Sequence, residues 1–536
     1  MRVRSVATLS LLVVGLSSSA ALAGGGAPVP AAGPTAAGYQ VSGREDLTSG
    51  VSHESLVATA IPESVNVARL SPGTPAQLKV ILSNDVVAEA DPNARGESTS
   101  SACHRVQAIA CVNGDYFYVE AYHPEWMGEP VGGVVIDGHL LRSSSPDPIR
   151  HQVMVHKSGA LDVGPMPLVA NIVSADLHSS LKIDAVNREL NVDQLVLYTA
   201  AFGPSTHTAG QVFEVVAKLA DPAWNGDLGV PVPLVLVGPG SPAGDTVLSP
   251  GQVVLSASGS AAAALQAFWG AFQASGRQPA QLRLDTGSTN DAAHPGGDPV
   301  QESLGAEPVL VHDCQPTNEN MDPTVGPKTM LAWKPGGDIL MVTIDGRQPT
   351  SRGMTYGEEA QLALSLGACE AVNLDDGGST TMADGNLRVL NVPSGAAVRR
   401  GGRIVHTEFP TCSLFGRKNV CDVVLAHEER RVADMLTIVP SPRPGAPPAP
   451  FAPSPGTTVK PVPPPAPTLT QGKIEFLRPE VPATPVEPIL LTRSVSPRTR
   501  APGTGRVQAL AVLLLVGAAA GVGHRTGRPR TGQVGV

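Results

Sequence analysis

Aromatic side chains and cysteines are scarce in this chain of 536 residues, where Phe, Trp and Tyr together account for 4%. The six cysteines include no C-x-x-C pair, so the sequence does not favour a structural zinc site. The formal net charge is −9 and no basic stripe occurs between the two ends, which argues against nucleic acid as a partner. No internal repeat is present either.

Long apolar runs are confined to the two ends of the chain. Arg2 and Arg4 precede a short apolar stretch and a small-residue ending, which predicts a signal peptide over residues 1–23 rather than an uncleaved anchor. Residues 507–523 carry no charge and predict a single transmembrane helix, with a disordered Ala/Gly-rich tail as the alternative. The basic residues of 524–536 then place the C-terminus in the cytoplasm and the globular part outside the cell membrane.

Two segments of biased composition separate these ends from the folded part. Residues 24–50 are rich in Gly, Ala and Pro, so we expect them to be disordered. Residues 439–505 are rich in proline and predict a semi-rigid spacer of polyproline II type. Residues 51–438 remain as one folded domain that is long enough to bury a sizeable core.

All six cysteines lie in the part predicted to be exported. An even number of cysteines outside the cytoplasm favours disulfides. Their spacing suggests two local pairs and one distant pair, although six cysteines permit many other pairings: Cys103–Cys111, Cys412–Cys421 and Cys314–Cys369.

Short β-rich segments alternate with Gly, Pro and Asp turns, and helical patterns are few. The predicted fold class is therefore α+β with mixed β-sheets. Residues 261–272 have apolar positions at helical spacing. The best-defined helix covers residues 356–366, because Thr355 and Glu358 have the spacing of a capping box and Gly367 fits the stop. A strand at 339–344 precedes it and a strand at 369–374 follows, which predicts a βαβ unit with parallel strands.

Polar residues follow both strands of this predicted unit. Asp345 and Arg347 come directly after the first strand, and Asp375 and Ser379 come directly after the second. Because the carboxyl ends of parallel strands open on one edge of a sheet, we expect these four side chains to converge. The alternative for the Asp-Gly pair at 345–346 is a hairpin turn, but a polar loop and a helix follow it instead of a strand.

The residue types at this edge suit an oxygen-rich anionic ligand. Arg347 offers a planar fork of donors for phosphate oxygens. Asp345 and Asp375 can act as acid, base or nucleophile, or can bind a cation. Glycines 377–378 allow their N–H groups to face an anion. The hydroxyls of 379–381 can bond sugar or phosphate oxygens, or can serve as helix cap or turn.

Two further polar clusters are unspecific by themselves. Residues 113–117 contain an Asn-Gly pair that alone predicts a turn. Residues 391–394, followed by the arginines of 399–403, alone predict a solvated basic loop. Their order along the chain, together with the two clusters described above, makes them more informative.

Together the four clusters resemble the phosphodiester glycosidase family. The family carries Asn-Gly-x-Phe-Phe, a Gly-Gly strand, Val-Asp-Gly-Arg with Ser-x-Gly, Asn-Leu-Asp-Gly-Gly-Gly-Ser-Thr-Thr-Met, Asn-x-Pro-Ser and a Gly-x-Arg-x-Val ending. The matching segments occur here in the same order: residues 113–117, 132–138, 344–347, 351–353, 373–382, 391–394 and 401–405. The resemblance covers roughly residues 105–425.

This resemblance implies hydrolysis of a sugar-1-phosphodiester at the C1–O bond, through an oxocarbenium-like transition state. It implies Asp375 as the first choice for the catalytic carboxylate and Asp345 as the second, with Arg347, Lys328 and Arg403 on the phosphate. The residues implied to bind the substrate are Asn113, Asp115, Lys328, Arg347, Ser351, Asn373, Asp376, Gly377, Gly378, Ser379, Thr380, Asn391, Ser394 and Arg403. No cofactor is implied, although the acidic cluster could take a divalent cation.

Two positions depart from the family pattern. Asp376 stands where the family usually has glycine, and Lys328 stands where relatives often have arginine. An added carboxylate beside Asp375 can supply a protonated acid, bind a cation or repel a phosphate. Two other functions therefore stay open: a non-catalytic binder of phosphorylated envelope glycans, and a metal-dependent phosphodiesterase that cleaves the P–O bond.

Overall fold

β-Strands make up most of the regular structure. The computed structural model describes residues 38–442 apart from residues 92–93, 120–125, 146–149, 277–278, 288–296, 320–321, 401–402 and 407–421. For residues 396–400, 403–406 and 422–427 it describes the backbone alone. The described residues belong to one compact unit within Met1–Thr458.

The strands of the first half, numbered in chain order, are β1 (Gln40–Thr48), β2 (Val51–Ala58), β3 (Glu63–Leu70), β4 (Ala76–Leu82), β5 (Glu97–Ser98), β6 (Ala110–Asn113), β7 (Val134–Ile136), β8 (His139–Arg142), β9 (His151–His156), β10 (Leu161–Pro165), β11 (Leu168–Ser174), β12 (Ser179–Ile183), β13 (Ala185–Val186), β14 (Leu195–Thr199), β15 (Val212–Leu219), β16 (Val232–Ser241) and β17 (Gln252–Ser258).

The strands that follow are β18 (Ala280–Thr286), β19 (Val300–Gly305), β20 (Val309–His312), β21 (Gln315–Pro316), β22 (Lys328–Trp333), β23 (Ile339–Ile344), β24 (Glu370–Asn373), β25 (Met382–Ala383), β26 (Gly395–Arg400), β27 (Arg403–His406), β28 (Asp422–Glu428), β29 (Arg431–Val432) and β30 (Asp434–Pro440). The α-helices are α1 (Thr99–Arg105), α2 (Gly259–Ala274) and α3 (Tyr356–Ser365), and short 3₁₀ turns cover Ser83–Asp85 and Gly377–Ser379.

Within the described residues these strands form two eight-stranded sheets and four smaller ones. The first large sheet, called the site sheet below, has the order β1-β2-β3-β23-β22-β24-β20-β21. The second has the order β12-β11-β18-β16-β15-β17-β14-β13. The smaller sheets are β10-β9-β19-β7-β8, β25-β6-β30-β4, β27-β26-β28 and β29-β5.

The centre of the site sheet differs from the predicted βαβ unit in one respect. Strands β23 and β24 point in the same direction, but they are not neighbours, because β22 lies between them and is antiparallel to both. The carboxyl ends of β23 and β24 therefore meet the amino end of β22 at one edge of the sheet. This arrangement brings Lys328, which is paired with Ile344, to the same edge as Asp345 and Asn373.

Both faces of these central strands are buried, which accounts for their nearly continuous apolar sequences. Met330 and Val342 lie in a cluster with Ala360 and other residues of α3 on one face. Leu331 and Met341 belong to the main core on the other face. Each such side chain contributes about 1.5–3 kcal/mol when fully buried. The sheet is therefore a rigid platform for the loops at its edge.

Helix α3 begins at Tyr356 as the sequence predicts and ends at Ser365, one residue before the predicted end. The Thr355 hydroxyl accepts a hydrogen bond from the Glu358 amide, and the Glu358 carboxylate accepts one from the Thr355 amide at 2.9 Å. Gly367, with φ of 86°, follows the last turn and permits a left-handed stop. The capping box is local, so it could be predicted without knowledge of the fold.

The second large sheet has its own core with helix α2. Leu265, Phe268 and Phe272 of that helix are buried against residues such as Leu255 and Leu282. These are positions of the apolar pattern that predicted a helix over residues 261–272. This sheet supplies no side chain to the site described below.

The described residues test only some of the predictions about disorder, disulfides and membrane segments. The prediction of disorder over residues 24–50 is wrong for Gln40–Thr48, which pairs with β2 as the edge strand of the site sheet. Disulfides join Cys103 to Cys111 and Cys314 to Cys369, as the spacing suggested. Cys412 and Cys421 lie outside the described residues, as do the predicted signal peptide, most of the predicted spacer and the segment 507–523. No helix in the described part of the chain is long and apolar enough to cross a membrane.

Candidate active site

The edge of the site sheet is where four chain segments come together. The 3₁₀ turn Gly377–Ser379 follows β24 directly, and the Gly377 amide donates to the Pro327 carbonyl at 3.0 Å. A Cβ on Gly346 would lie 2.6 Å from the Pro327 nitrogen, so the Asp-Gly-Arg loop passes this segment at a distance that only glycine permits. The Asp375 amide donates to the Gly114 carbonyl at 2.8 Å, which attaches the loop after β6 as well.

Asp375 is buried and both of its carboxylate oxygens accept hydrogen bonds. Oδ1 accepts from the Asp376 amide at 2.8 Å, and Oδ2 accepts from the Ser379 hydroxyl at 2.5 Å. The Ser379 oxygen in turn accepts from Nη1 of Arg430 at 3.0 Å. A Cβ on Gly378 would lie 2.2 Å from Nη2 of Arg430, so glycine there makes room for this guanidinium. An acceptor-only carboxylate in a polar relay is the form suited to a base, a nucleophile or a stabiliser of positive charge.

Asp376 is paired with Lys328. The Lys328 ammonium lies 2.6 Å from Oδ2 of Asp376, and its side chain is 4% exposed. The same carboxylate oxygen accepts a hydrogen bond from the Tyr356 hydroxyl at 3.0 Å. The ammonium also lies 3.8 Å from the centre of the Tyr356 ring, within the range of a cation–π contact. Both residues that depart from the family pattern are therefore members of one ion pair.

Two tyrosines connect Asp376 to the strand before Asp375. The hydroxyls of Tyr116 and Tyr356 lie 3.1 Å apart, and the Tyr116 hydroxyl accepts from the Asn373 amide group at 2.9 Å. Burial raises the pKa of Tyr116, and the negative charge of Asp376 adds to this. The pKa of Tyr356 is raised for the same two reasons. Both tyrosines therefore remain neutral at ordinary pH and can donate hydrogen bonds.

Arg347 is the exposed cation of the site. Its φ is 60°, a left-handed conformation that costs a residue with a Cβ about 1–2 kcal/mol and that is concentrated at functional sites. Its guanidinium lies beside Gly377, where an added Cβ would be 3.1 Å from Nη2. Partial desolvation lowers the pKa of Arg347, and the positive charge of Arg430 lowers it further, while Asp376 opposes both effects. An anion between the two arginines would relieve this repulsion.

Buried hydrogen bonds of Asn113 hold the Asp375 loop in place. It is fully buried, its Nδ2 donates to the Asp375 carbonyl at 2.8 Å, and its Oδ1 accepts from the Thr329 hydroxyl at 2.8 Å and the Thr381 amide at 3.1 Å. All of these partners are protein groups. Asn113 therefore positions the Asp375 loop.

Asp345 binds the loop that begins at Asn391. Its Oδ1 accepts from the Asn391 side chain and from the following backbone amide, both at 3.0 Å. The buried Ser351 hydroxyl donates to the Asp345 carbonyl at 2.7 Å. The Ser394 hydroxyl, at the other end of the held loop, donates to the Gly377 carbonyl at 3.3 Å. These predicted site residues surround the centre and support it.

Asp115 is completely buried. Its carboxylate accepts from the Gly132 amide at 2.5 Å and from the Tyr116 amide at 2.7 Å, and Arg150 lies 3.7 Å away. Its own amide donates to the Asp434 carboxylate at 2.7 Å. Burial raises the pKa of Asp115 and raises that of Asp434 well above its usual range. With no exposed side-chain surface, Asp115 ties loops together beneath the site.

Glu359 of α3 is a buried acid next to the ion pair. Its side chain is fully buried and neither carboxylate oxygen has a hydrogen-bond partner among the described residues. Burial raises its pKa well above 4.5, while the charge of Lys328 opposes the rise and that of Asp376 adds to it. The raised pKa favours the neutral acid of Glu359, and Asp376 is the carboxylate that contacts the Lys328 ammonium.

The remaining predicted residues are placed as follows. The hydroxyls of Thr380 and Thr381 are buried without a hydrogen-bond partner among the described residues. The side chain of Arg403 lies outside what the structure describes. Sequence reasoning missed Arg430, Tyr356 and Glu359. Tyr356 and Glu359 lie in the first turn of α3, where the capping signal predicted only the start of the helix. No sequence motif indicates Arg430.

The only described group of three side chains that could hold a metal ion lies elsewhere. It consists of His312, Asp313 and Glu370, and two of the three are exposed. Asp375 and Asp376 do not form such a group with a third described ligand. Their oxygens already accept hydrogen bonds from Ser379, Tyr356 and backbone amides.

Comparison with known proteins gives a family and a fold. Residues 210–409 match the model of the family described as phosphodiester glycosidase. None of the curated proteins matches the chain. Among solved structures, a hypothetical protein from Synechocystis is similar at 15% identity with a TM-score of 0.51. That likeness covers 73% of this chain but 62% of the other, so the chain spans less than two-thirds of that protein, and the likeness supports the fold alone.

Two more solved structures are similar over much of their length. A protein from Burkholderia pseudomallei, described as exported, has 23% identity and a TM-score of 0.49 over 72% of this chain and 75% of its own. The zebrafish N-acetylglucosamine-1-phosphodiester alpha-N-acetylglucosaminidase catalytic domain, auto-inhibited by its pro-peptide, has 11% identity and a TM-score of 0.36. That likeness covers 75% of this chain and 87% of the zebrafish domain.

Proposed function

We propose that this chain, whose residues 210–409 form a phosphodiester glycosidase domain, is an exported hydrolase that cleaves the C1–O bond of a sugar-1-phosphodiester. The observation that carries the proposal is the arrangement around the 3₁₀ turn Gly377–Ser379. Asp375 accepts a hydrogen bond from Ser379 of this turn, and the guanidiniums of Arg347 and Arg430 lie beside its glycines. A carboxylate and two guanidiniums are what cleavage next to a phosphate requires.

The two arginines form the phosphate site. Each guanidinium lies against one glycine of the turn, so a phosphate bound by both arginines would lie beside the turn. Planar guanidiniums bind phosphate oxygens in pairs, which fixes the orientation of the group as well as its charge. Arg430 thus takes the role that the resemblance assigned to Lys328, whose ammonium is engaged by Asp376.

Asp375 carries the chemistry at C1. Water adds its oxygen to C1, and the C1–O bond to phosphate breaks with the electron pair left on the phosphate oxygen. The proton that water loses passes to Asp375 and then to the released phosphate monoester. Phosphate is a better leaving group than an alcohol and needs little protonation, so one carboxylate is sufficient. Asp375 also stabilises the positive charge that develops on the sugar ring in the transition state.

The composition of the two terminal segments is the basis for a proposed location of the enzyme. We place the folded domain outside the cell, after removal of residues 1–23, on the spacer 439–505 that the transmembrane helix 507–523 anchors. The two disulfides among the described residues support an oxidising compartment. Phosphorylated glycans of the envelope lie within reach of such an enzyme.

Turnover tests this function. The purified full-length chain is incubated with N-acetyl-α-D-glucosamine 1-(methyl phosphate), and release of N-acetylglucosamine and methyl phosphate is followed by NMR. We expect turnover that persists in EDTA and falls by roughly 10²–10⁴-fold in Asp375→Asn. Asp313→Asn, which changes an exposed carboxylate far along the chain, is the matched control. Absence of turnover in the presence of tight binding would support the glycan-binding alternative, and loss in EDTA would support the metal-dependent phosphodiesterase.

A further inference from the structure

A polar cavity of about 410 Å³ adjoins the candidate active site and has no role in the chemistry described so far. Its size lies within the range of sites that hold small ligands. The lining residues are Tyr116, Arg150, His151, Glu307, Pro308, Glu319 and Tyr356. It therefore lies between the loop after β6, the start of β9, the start of β20 and the first turn of α3.

Two of its walls are shared with the centre. The Tyr356 hydroxyl donates to Asp376 at 3.0 Å, and the Asp376 amide donates to the Asp375 carboxylate at 2.8 Å. Asn373 donates both to the Tyr116 hydroxyl and, at 3.1 Å, to the Glu307 carbonyl. The cavity is thus two hydrogen bonds away from the proposed catalytic carboxylate.

Two pairs of charged or titratable side chains lie in the wall of the cavity, and the glutamate of each pair is partly exposed. Arg150 lies 2.8 Å from the Glu307 carboxylate, and its guanidinium is 5.3 Å from the centre of the Tyr116 ring. His151 lies 3.5 Å from the Glu319 carboxylate, which also accepts from a backbone amide of β20 at 2.9 Å. Both glutamates keep 37% of their side-chain surface exposed. Pro308 is the sole apolar residue of the lining, which disfavours an acyl chain.

We propose that this cavity binds a hexose-sized, polyhydroxylated ring, the sugar of the sugar-1-phosphodiester. Carboxylate oxygens accept from sugar hydroxyls, and guanidinium, imidazole and tyrosine hydroxyl groups donate to them. The tyrosine rings supply the amphipathic surface against which a sugar ring packs. The cavity lies beside the loop that carries Asp375, because Tyr356 of its lining donates to Asp376. This inference rests on the proposed function, because it supplies the sugar half of the same substrate.

Direct binding of the free sugar tests the cavity without any turnover. N-Acetylglucosamine is added to the purified full-length chain, and saturation-transfer NMR measures contact with the protein over a range of sugar concentrations. We expect saturable transfer to the ring protons, with affinity lowered about fivefold or more in Glu319→Gln, a loss of about 1 kcal/mol. Asp313→Asn should bind as the unchanged chain does. If Glu319→Gln fails to fold, His151→Gln is measured in its place.

The two proposals fail in different ways. Sugar binding that depends on Glu319, in a protein that turns over no phosphodiester, would keep the cavity assignment and overturn the proposed function. Turnover of the diester with sugar binding that neither Glu319→Gln nor His151→Gln changes would overturn the cavity assignment and keep the function. Absence of saturable sugar binding would also overturn the assignment.

Discussion

The ammonium of Lys328 lies 2.6 Å from the carboxylate of Asp376, and these are the two positions at which the chain departs from the motifs of the phosphodiester glycosidase family. Each substitution alone would disturb the site, because an isolated Asp376 would repel phosphate and an isolated buried lysine would lack a counter-charge. Together they form a neutral pair, held by the Tyr356 hydroxyl. We infer that Lys328 compensates the charge of Asp376, and that the proposed phosphate site consists of Arg347 and Arg430.

Removing Asp376 should release Lys328 toward the substrate. In Asp376→Gly we expect KM for the phosphodiester to fall roughly fivefold to tenfold, since one added charge-assisted contact is worth about 1–1.5 kcal/mol. The free energy of unfolding should fall by about 1–3 kcal/mol, because the buried ammonium loses its partner. Steady-state kinetics and urea unfolding measure both effects.

The double variant Lys328→Gln/Asp376→Gly is the control for this pair. It should recover part of the lost stability and abolish the gain in KM. Equal KM values in the unchanged chain and in Asp376→Gly would contradict the view that Asp376 withholds Lys328 from the phosphate.

Arg430 should matter for binding and for the orientation of Asp375. Its guanidinium bonds Ser379, which bonds Asp375, so Arg430→Gln should lower kcat/KM by roughly 10²-fold through loss of a phosphate contact. Ser379→Ala should lower kcat by about tenfold with little change in KM, because it removes one donor to the carboxylate. Arg431→Gln, at the exposed neighbouring position, should leave both constants unchanged. Identical kinetics in Arg430→Gln and Arg431→Gln would remove Arg430 from the site.

Asn113 should act on stability as well as activity. Asn113→Ala leaves the Thr329 hydroxyl, the Thr381 amide and the Asp375 carbonyl without their buried partner. We expect a loss of about 2–4 kcal/mol in the free energy of unfolding, measured by urea denaturation. Asn386→Ala, at an exposed position, should change stability by less than about 0.5 kcal/mol. A stable Asn113→Ala protein would contradict its positioning role.

Glu359 should give the stability of the protein a pH dependence. Its pKa is raised in the folded state, so above about pH 4.5 the folded protein keeps a proton that the unfolded chain releases. Its contribution therefore falls by about 1.4 kcal/mol per pH unit as the pH rises toward the folded pKa. Glu359→Gln copies the neutral acid and cannot ionise. The unfolding free energies of the two proteins are compared from pH 5 to pH 8. As the pH rises, the variant should become more stable relative to the unchanged chain. A difference that does not vary with pH would contradict a raised pKa for Glu359.

Local signals predicted local features well. The capping box at Thr355, the stop at Gly367 and the polar residues after β23 and β24 depend on neighbouring residues, so the helix and both halves of the site could be predicted from the sequence. The family resemblance carried by the motifs is confirmed over residues 210–409. The mixed α+β class holds in a form dominated by sheets.

Pairing between distant strands determines the features of the site that could not be predicted from the sequence. The insertion of β22 between β23 and β24 depends on hydrogen bonds between distant segments, and no periodicity encodes it. Arg430 reaches Ser379 only because the chain between β28 and β29 passes the turn at Gly378. Asn113 and Asp115 look like site residues by composition, yet their burial makes them supports. The expectation of disorder failed at Gln40–Thr48 because a mostly exposed strand at the edge of a sheet needs few apolar residues.

Isotope labelling shows which bond of the phosphodiester is cleaved. The full-length chain hydrolyses N-acetyl-α-D-glucosamine 1-(methyl phosphate) in H₂¹⁸O, and mass spectrometry of both products at early times, with a control for spontaneous exchange at C1, locates the label. We expect ¹⁸O in N-acetylglucosamine and none in methyl phosphate, because in the proposed reaction water attacks C1 beside Asp375. Label in the methyl phosphate would show cleavage of the P–O bond and would contradict it.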